Sequence, residues 1–421
     1  ESEPNYRHPA SLAVTGSGKK RQPGCDGCGD SWISVSPKAE QEKPLPDTQI
    51  AQNAIESLAN FSSAGVGKRL DDAAGRPFFL AVGFHKPHLP FVAPSRFFDL
   101  YPPDEIELPT DQRPPSGMPT VAWSNWGELR QYLDIAPLNN SGVPGDVLPP
   151  AVTKSLRRAY YASVSFTDYN VGLVLDALEK QGYAKNTVVS FWGDHGWQLG
   201  EHGEWCKHTN FDLATNAPMY IHIPGLTDGG IATSTPTEYL DLMPTLAQAA
   251  MGLTVPACPS SAAASRRVAL CTHGVSLLPL ITDPTTPVKP AAYSQYPRHY
   301  VQPGDEGLGM VELESLDAVE GVDLTSSPSP SACLTKPCTM GYSMLTVHEG
   351  IEYRYTEWVD FNTKVSGGPD WDRNLGTELY RHSDDPLENV NIADKASKGL
   401  LEVLSALLRA HPVWAAGSSV A

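Results

Sequence analysis

Two uninterrupted apolar runs constrain the fold of this chain more than any other feature of its sequence. They are Pro77–Phe84 and Thr187–Trp192, and a polar turn containing histidine follows each of them directly. A continuous apolar run cannot alternate between core and solvent, so each run predicts a strand that is buried on both faces of a sheet. A third candidate strand is Pro218–Pro224.

Helical periodicity is found between and around these strands. Apolar residues recur at helical spacing in Gln49–Phe61, where Asp47 or Thr48 could serve as the N-cap, and in residues 156–181. A further helix is predicted over Leu242–Met251. Because strands and helices alternate along the chain, we predict an α/β body.

The C-terminal part has a different pattern. Gly341–Val347 and Tyr353–Val359 read as two antiparallel strands joined by a turn at Glu349-Gly350. Leucines and a valine at helical spacing between Leu400 and Leu408 predict a terminal amphipathic helix. These elements predict a small α+β subdomain behind the larger body.

Two segments predict irregular structure. Residues 1–47 contain few apolar side chains, and residues 303–337 are first acidic and then rich in serine and proline. The second segment is expected to be an inserted loop. The 38 prolines and 35 glycines of the chain agree with a large proportion of turn and loop.

Net charge and hydropathy exclude two classes of partner. The net charge of −17 disfavours broad binding to nucleic acid or to an anionic membrane. No stretch reaches the roughly 18 consecutive apolar residues that span a bilayer, so no membrane span is predicted. The chain opens at Glu1 without a signal-peptide pattern, so we expect a processed or truncated product.

The seven cysteines fall into three local pairs and one single residue. The pairs are Cys25 with Cys28, Cys258 with Cys271, and Cys333 with Cys338, and the single residue is Cys206, which we expect to be a small buried filler. A zinc site at the first pair is disfavoured because no second ligand pair lies near it. Paired cysteines and the sequons at Asn60 and Asn139 favour a lysosomal or secreted location.

The first polar turn, His85-Lys86-Pro87-His88, directly follows the first apolar run. Ligands of α/β sheets gather at the carboxyl ends of strands, which makes this a candidate site. Pro87 prevents a helix here, so the two histidines are not a zinc-binding pair on one helical face. The alternative is a solvated turn without a functional role.

The second polar turn begins at Gly193 and runs through Asp194 and His195 to Lys207. Asp194 offers a hard carboxylate oxygen and His195 an adjacent donor, while the flanking glycines permit close approach of the backbone to an ion. This pattern suits a divalent cation, and Lys207 could hold a tetrahedral oxyanion. The alternative is an ordinary structural loop.

Five further features of the sequence are the segments Phe78–Pro90, Gly193–Asn210, Ala292–Arg298, Met340–Ser343 and Glu378–Pro386. Together they resemble the sulfatase branch of the alkaline-phosphatase-like superfamily, and within it the group of the iduronate 2-sulfatases. The resemblance extends from about residue 40 to 410. It implies an N-terminally incomplete sulfatase fold, a mixed sheet flanked by helices, over residues 1–282, and a C-terminal subdomain over 283–421.

The resemblance also implies roles for particular residues. Asp194 and His195 match two ligands of the calcium ion of the family. His88 matches a histidine that contacts the sulfate and assists the departing alcohol, and Lys207 matches a sulfate-binding lysine. Cys258 and Cys271, left above as one local pair among three, match a disulfide of the family.

The nucleophile of the family is absent from this chain. That nucleophile is formylglycine, made from the cysteine of a C-x-P-S-R motif, and none of the seven cysteines lies in such a motif. Val92–Arg96 imitates the motif with valine in the first position, and Asp71-Asp72 imitates the metal-binding aspartates of the family but precedes a strand. We therefore expect that an N-terminal segment completing the fold is missing and that this chain hydrolyses sulfate esters poorly.

The function expected from these features is removal of sulfate from uronate residues of glycosaminoglycans or of a related polysaccharide. The predicted partner is accordingly a sulfated saccharide. One alternative is a phosphoester or phosphonate hydrolase of the same superfamily, because sulfate and phosphate monoesters share a geometry. Another is a non-catalytic descendant that binds sulfated glycans.

Overall fold

The computed structural model describes residues 29–63, 76–138, 140, 142–298, 338–362, 368–411 and 414. The loop predicted over 303–337, Asp71-Asp72, Asn139 and the cysteines at 25, 28 and 333 lie outside these residues. The α-helices are α1 (Pro37–Glu42), α2 (Pro46–Ser63), α3 (Ser95–Phe98), α4 (Gly127–Arg130), α5 (Pro150–Lys180), α6 (Asp212–Thr215), α7 (Leu242–Met251), α8 (Ala262–Ser265), α9 (Leu278–Thr282) and α10 (Lys398–Arg409). The strands are β1 (Trp32–Val35), β2 (Phe91–Pro94), β3 (Val189–Trp192), β4 (Gln198–Leu199), β5 (Trp205–Cys206), β6 (Met219–His222), β7 (Ala291–Arg298), β8 (Cys338–His348), β9 (Ile351–Asn362) and β10 (Gly368–Arg381).

The chain divides into two compact units. The first comprises residues 1–110, 128–140 and 147–187, and the second comprises residues 111–127, 141–146 and 188–421. The domain boundary that the sequence suggests after residue 282 stays a prediction.

Two helices and a parallel pair of strands organise the first unit. β1 pairs with β2 in parallel. The helices predicted over 49–61 and 156–181 are confirmed as α2 and α5, and each begins earlier than predicted. α5 begins at Pro150, since proline suits the first turn of a helix, where its missing N–H is not needed. α2 begins at Pro46, so Asp47 lies inside the helix.

The irregular structure predicted for residues 1–47 is wrong for the part that the structure describes. This part contains β1 and α1 and the beginning of α2. The Ser36 side chain accepts a hydrogen bond from the Ala39 N–H, and Pro37 occupies the first turn of α1. The capping signal was present in the sequence, but the helix it starts is too short to show a period.

The buried strand predicted over Pro77–Phe84 is wrong. The segment is not assigned to a sheet, and its side chains alternate in burial. Phe78 and Leu80 pack on a small core formed by α2 and α5, whereas Phe79 is 86% exposed. A strand that is buried on both faces needs a packing layer on each face. The described part of this unit supplies a layer on one face of this segment.

A two-stranded antiparallel sheet of β3 and β6 confirms the strands predicted over Thr187–Trp192 and Pro218–Pro224. Full burial of the first is wrong, since Phe191 and Trp192 are 38% and 47% exposed. The helix predicted over Leu242–Met251 is confirmed at both ends as α7.

The C-terminal subdomain contains a four-stranded antiparallel sheet in the order β10-β9-β8-β7. The predicted hairpin is confirmed as β8 and β9. Glu349 and Gly350 both have positive φ (51° and 78°), as the two central residues of a type I′ turn require. The predicted terminal helix is α10, which places Leu404 and Leu408 in the core of the sheet.

The cysteine predictions are confirmed where the structure describes both partners. Cys258 and Cys271 form a disulfide, as the family resemblance implied. Cys206 is a buried thiol outside any disulfide. In the described part of the chain, no helix is both long and apolar enough to cross a membrane.

Candidate active site

His88 lies in a tight turn of the first unit. Its backbone N–H donates to the His85 carbonyl (3.0 Å), and its Nδ1–H donates to the Leu89 carbonyl oxygen (2.6 Å). A carbonyl can only accept, so Nδ1 carries a proton. The other nitrogen, Nε2, lies 3.1 Å from a carboxylate oxygen of Glu128 in α4. A ring held in this way can carry a second proton on Nε2 and donate it.

A buried network fixes the turn that carries His88. The Asp47 carboxylate accepts the backbone N–H groups of His85 and Lys86 (3.0 and 2.9 Å), which explains why this side chain does not cap its own helix. The Lys86 ammonium is buried and donates to the carbonyl oxygens of His88 and Pro90 (both 2.8 Å). Lys86 therefore stabilises the turn and does not present its charge to solvent.

Asp194 and His195 follow β3 in the second unit. The Asp194 side chain is 82% exposed and its Oδ2 lies 3.6 Å from Nε2 of His195. Nδ1 of His195 donates to the Gly196 carbonyl oxygen (2.8 Å), so in the neutral ring the lone pair is on Nε2. This tautomer suits a metal ligand, because the nitrogen that would bind an ion is the one left unprotonated.

The loop after β3 rests on helix α6. The Gly196 N–H donates to the Ala214 carbonyl oxygen (2.8 Å), and a Cβ on Gly196 would lie 2.1 Å from the Leu213 carbonyl oxygen. Glycine is therefore required here for close packing of loop on helix. Gly193 meets no such limit, since a Cβ there would have ordinary contacts at 3.5 Å.

Trp197 contacts both His195 and Lys207. The Lys207 Nζ lies 4.8 Å from the Trp197 ring centroid, and the His195 ring lies 5.9 Å from the same ring. An ammonium over an indole face is attracted by the negative charge of that face. The predicted sulfate-binding lysine and one predicted metal ligand, His195, thus share one aromatic neighbour.

The β4–β5 hairpin brings Lys207 to this position. The hairpin has positive φ at four residues, and two of them, His202 (59°) and Cys206 (73°), are not glycine. Such angles persist only where surrounding contacts impose them. His202 supplies such contacts: its backbone N–H donates to the Asp111 carbonyl, and its Nε2 donates to the Leu387 carbonyl (2.6 Å).

The hairpin carries the buried Glu204, which lies near the buried side chains of Arg298 and Glu378. Glu204 Oε1 accepts the Ser124 N–H (2.9 Å), and Arg298 donates to the Ala122 carbonyl (2.8 Å). The carboxylate of Glu378 accepts from the Trp358 indole N–H and from the Tyr380 hydroxyl (2.6 and 2.7 Å).

These side chains alter one another's ionisation. Burial raises the pKa of Glu204 and that of Glu378 to about 7 each, and the nearby Arg298 charge opposes both shifts. Beside the loop, burial and the Asp194 charge raise the pKa of Tyr239 to about 12. Both glutamates are therefore mostly uncharged in mildly acidic solution.

The donors described around Asp194 are too few for calcium, which takes six to eight ligands, mostly oxygens. Asp194 and His195 supply one carboxylate and one imidazole. Among the residues that the structure describes, side chains of Asp212, His382 and Glu388 lie within 4.8 Å of one another, but Arg354 donates to two of them, so this group is an ion-pair cluster. Asp194 has no such set. Calcium therefore stays a prediction, and no catalytic step through a metal ion follows from these residues.

The structure brings three of the four predicted site residues together. His195 and Lys207 both contact Trp197 in the second unit, and Asp194 lies beside His195, whereas His88 belongs to the first unit. The convergence of His88 with the others stays a prediction. Sequence reasoning missed Glu128, which no local pattern connects with His88, and gave Trp197 no role although it stands two residues after His195.

Sequence comparison identifies the class of protein. A sequence model of the Sulfatase family matches residues 14–253, which is more than half of the chain. The fold agrees: a solved structure in complex with its substrate, D-glucosamine-2-N,6-O-disulfate, is 19% identical, with a TM-score of 0.59, covering 90% of this chain and 72% of that one. The chain belongs to the sulfatase family and has the alkaline-phosphatase-like fold of its members.

The chain is also similar to particular enzymes. Human iduronate 2-sulfatase is 36% identical over 391 residues, covering 85% of this chain and 64% of that protein. The chain thus spans about two thirds of the length of this relative. A phosphonate monoester hydrolase from Silicibacter pomeroyi is also similar in structure, with a TM-score of 0.51 at 20% identity, covering 85% of this chain and 58% of that one.

Proposed function

We propose that this chain provides the sulfate-binding part of a sulfuric ester hydrolase that acts on sulfated uronate residues of glycosaminoglycans or of a related polysaccharide. The observation that carries the proposal is the placement of His195 and Lys207 against Trp197, with Asp194 beside His195. The 36% identity to human iduronate 2-sulfatase supports the choice of substrate class.

Each site residue has a task in this chemistry. Hydrolysis breaks the bond between sulfur and the sugar oxygen, so the sulfuryl oxygens need positive charge and the departing oxygen needs a proton. The Lys207 ammonium supplies the charge. His88, with Nε2 beside the Glu128 carboxylate, supplies the proton. We propose Asp194 and His195 as two ligands of a divalent cation, calcium by the family resemblance.

The step that this chain does not supply is nucleophilic attack. No cysteine of the sequence lies in a C-x-P-S-R motif, so no formylglycine can form. We therefore propose that the chain binds sulfate but does not turn over sulfate esters. Measurable hydrolysis of a chromogenic aryl sulfate by this chain would refute that part of the proposal.

Calorimetric titration with inorganic sulfate tests the binding site. Lys207→Met should weaken sulfate binding about tenfold or more, the loss expected for one hydrogen bond to a charged group. Lys398→Met is the matched control, because Lys398 is 91% exposed on α10, and it should leave sulfate binding unchanged. Equal weakening in the two variants would contradict a specific role of Lys207.

Two other functions are separated by further titrations. A phosphonate or phosphate monoester hydrolase agrees with the structural similarity to the Silicibacter pomeroyi enzyme. It would be favoured if inorganic phosphate bound at Lys207 more tightly than sulfate. A glycan-binding module agrees with the missing C-x-P-S-R motif, and it predicts that sulfated oligosaccharides bind more tightly than inorganic sulfate.

We also propose a lysosomal or secreted location. Disulfides persist in oxidising compartments and are rare in the cytosol, and Cys258 and Cys271 form one here. The sequon residue Asn60 is exposed at the end of α2, where a glycan could be attached. Mass spectrometry of the secreted protein before and after deglycosylation tests the attachment.

A further inference from the structure

A buried charge cluster lies beside helix α6, on the side of the C-terminal sheet. Glu388 is 1% exposed, and its Oε1 accepts from Nε of Arg354 and lies 2.8 Å from Nε2 of His382. The other ring nitrogen of His382, Nδ1, lies 2.9 Å from Oε1 of Glu352. The His382 ring therefore bridges two carboxylates, one on β9 and one in the loop after β10.

This geometry determines the charge of the His382 ring. A neutral imidazole has one N–H, so it can donate to one carboxylate and would point a lone pair at the other. An ionised carboxylate only accepts, and two close contacts of this kind require both ring nitrogens to be protonated. Burial opposes the charge, but hydrogen bonding and attraction to Glu388, with a bond to Glu352, raise the pKa of His382.

The cluster also holds helix α6, which supports the loop that carries Asp194 and His195. The Asp212 N–H, at the start of α6, donates to Oε2 of Glu388 (2.7 Å), and the Asp212 carboxylate accepts from Arg354 (2.8 Å). Helix α6 in turn provides the Ala214 carbonyl that accepts the Gly196 N–H next to His195. The contacts thus run from His382 through Glu388 and α6 to the loop.

The other positively charged groups near His382 are engaged with other partners, so they do not supply the charge that its second proton supplies. Arg354 faces Asp212 and Glu388 and is thereby engaged with both. On the turn that follows β10, Arg381 pairs with Asp384, and Asp385 accepts from Asn389 and from the Val390 N–H. Three carboxylates, those of Asp212, Glu352 and Glu388, therefore share one guanidinium and one imidazolium.

We propose that His382 is a positioning residue for the Asp194–His195 loop, and that it acts as an imidazolium which holds Glu388 and thereby α6. Raising the pH through the folded-state pKa of His382 removes the proton and loosens the loop. The direction follows from linkage: a raised pKa contributes stability that is complete below about 6.5, the ordinary histidine pKa, and lost above the folded value. Only the consequence for metal binding rests on the proposed function.

Hydrogen exchange measured by mass spectrometry tests this at the loop itself. Protection factors of peptides that cover residues 193–216 are compared at about pH 5.5 and about pH 8.5 in the native chain and in variants. In the native chain we expect protection to fall about tenfold or more at the higher pH, the loss of one hydrogen bond to a charged group. His382→Gln should show the low protection at both pH values.

Two further variants separate a specific effect from general damage. His382→Lys keeps a positive charge at both pH values and should retain the protection of the loop. His222→Gln removes an exposed histidine of β6 and should behave like the native chain. A native profile without pH dependence, or the same fall with pH in His382→Gln, would overturn the proposal.

Nitrogen-15 spectra of histidine-labelled native chain provide a test that does not require a variant to fold well. Both ring nitrogens of His382 should have the shifts of a charged ring at neutral pH, and a neutral tautomer there would overturn the proposal. Sulfate titration reports on Lys207 and not on His382. A failed sulfate titration with an intact exchange result would therefore refute the proposed function and leave the role of His382 standing.

Discussion

Replacing Glu204 by glutamine should change how the stability of this protein depends on pH. Glu204 is fully buried within the β4–β5 hairpin, and its Oε1 accepts the Ser124 N–H. Burial raises the pKa of this carboxyl from 4.5 to about 7. Glutamine keeps an oxygen that can accept the Ser124 N–H, but it has no proton to lose.

The size of the change in stability follows from the shift in the pKa of Glu204. One pKa unit corresponds to 1.36 kcal/mol, so the shift of Glu204 corresponds to ~3 kcal/mol of unfolding free energy. The folded-state pKa is raised, so this stability is complete below about pH 4.5 and is lost as the pH rises through about 7. The pKa of Glu378 is also about 7, so this residue adds a further loss of stability over the same pH range.

Urea unfolding of both proteins at about pH 5 and about pH 8 measures the effect. The native chain should lose more stability between these values than Glu204→Gln does, by up to ~3 kcal/mol. Some dependence should remain in the variant because Glu378 still titrates. Glu402→Gln, at a side chain 65% exposed on α10, should match the native chain. Parallel pH profiles for native chain and Glu204→Gln would refute the assignment of the proton to Glu204.

Two further predictions concern the loop and the disulfide. Gly196→Ala should reduce the thermal stabilisation that calcium chloride gives, because its Cβ would lie 2.1 Å from the Leu213 carbonyl. Gly172→Ala in α5 is the control and should be stabilising, since its Cβ meets nothing within 4 Å; equal calcium responses would argue against the loop as the metal site. Replacing Cys258 and Cys271 by serine should cost about 3 kcal/mol in urea unfolding, and an unchanged midpoint would show that this bridge does not stabilise the fold.

Local signals predicted the elements that depend on local physics. The helical period identified α2, α5, α7 and α10, since burial of one helical face requires that period whatever the neighbour is. The hairpin of β8 and β9 was visible because Glu349-Gly350 marks a tight turn between apolar strands. Such features need only a few consecutive residues to be recognised.

The apolar run Pro77–Phe84 shows where composition misleads. Its sequence is typical of a strand that is covered on both faces. Burial, however, depends on whether other segments of the chain pack against each face. In the described part of its unit, one layer covers Phe78 and Leu80, and Phe79 faces outward. The sequence predicted how apolar the segment is and could not predict how many neighbours it has.

The candidate site likewise contains some residues that the sequence reveals and others that only the fold reveals. Asp194, His195 and Lys207 lie within fourteen consecutive residues, so their pattern was readable, and the structure groups them. The residues that control their setting come from far along the chain: Asp47 holds the turn before His88 across 38 residues, and Ser124 holds Glu204 across 80. No spacing rule connects such pairs.

His382 illustrates the consequence for function. In the sequence it is one of 12 histidines, followed by an ordinary polar turn, and nothing nearby assigns it a charge. Its protonation is decided by Glu352, 30 residues earlier, and by Glu388, whose second oxygen binds a helix 176 residues away. A residue's chemistry can be read from sequence when its partners are neighbours in the chain. When the partners are brought together only by folding, as here, the sequence reveals the donor types and the fold determines what they do.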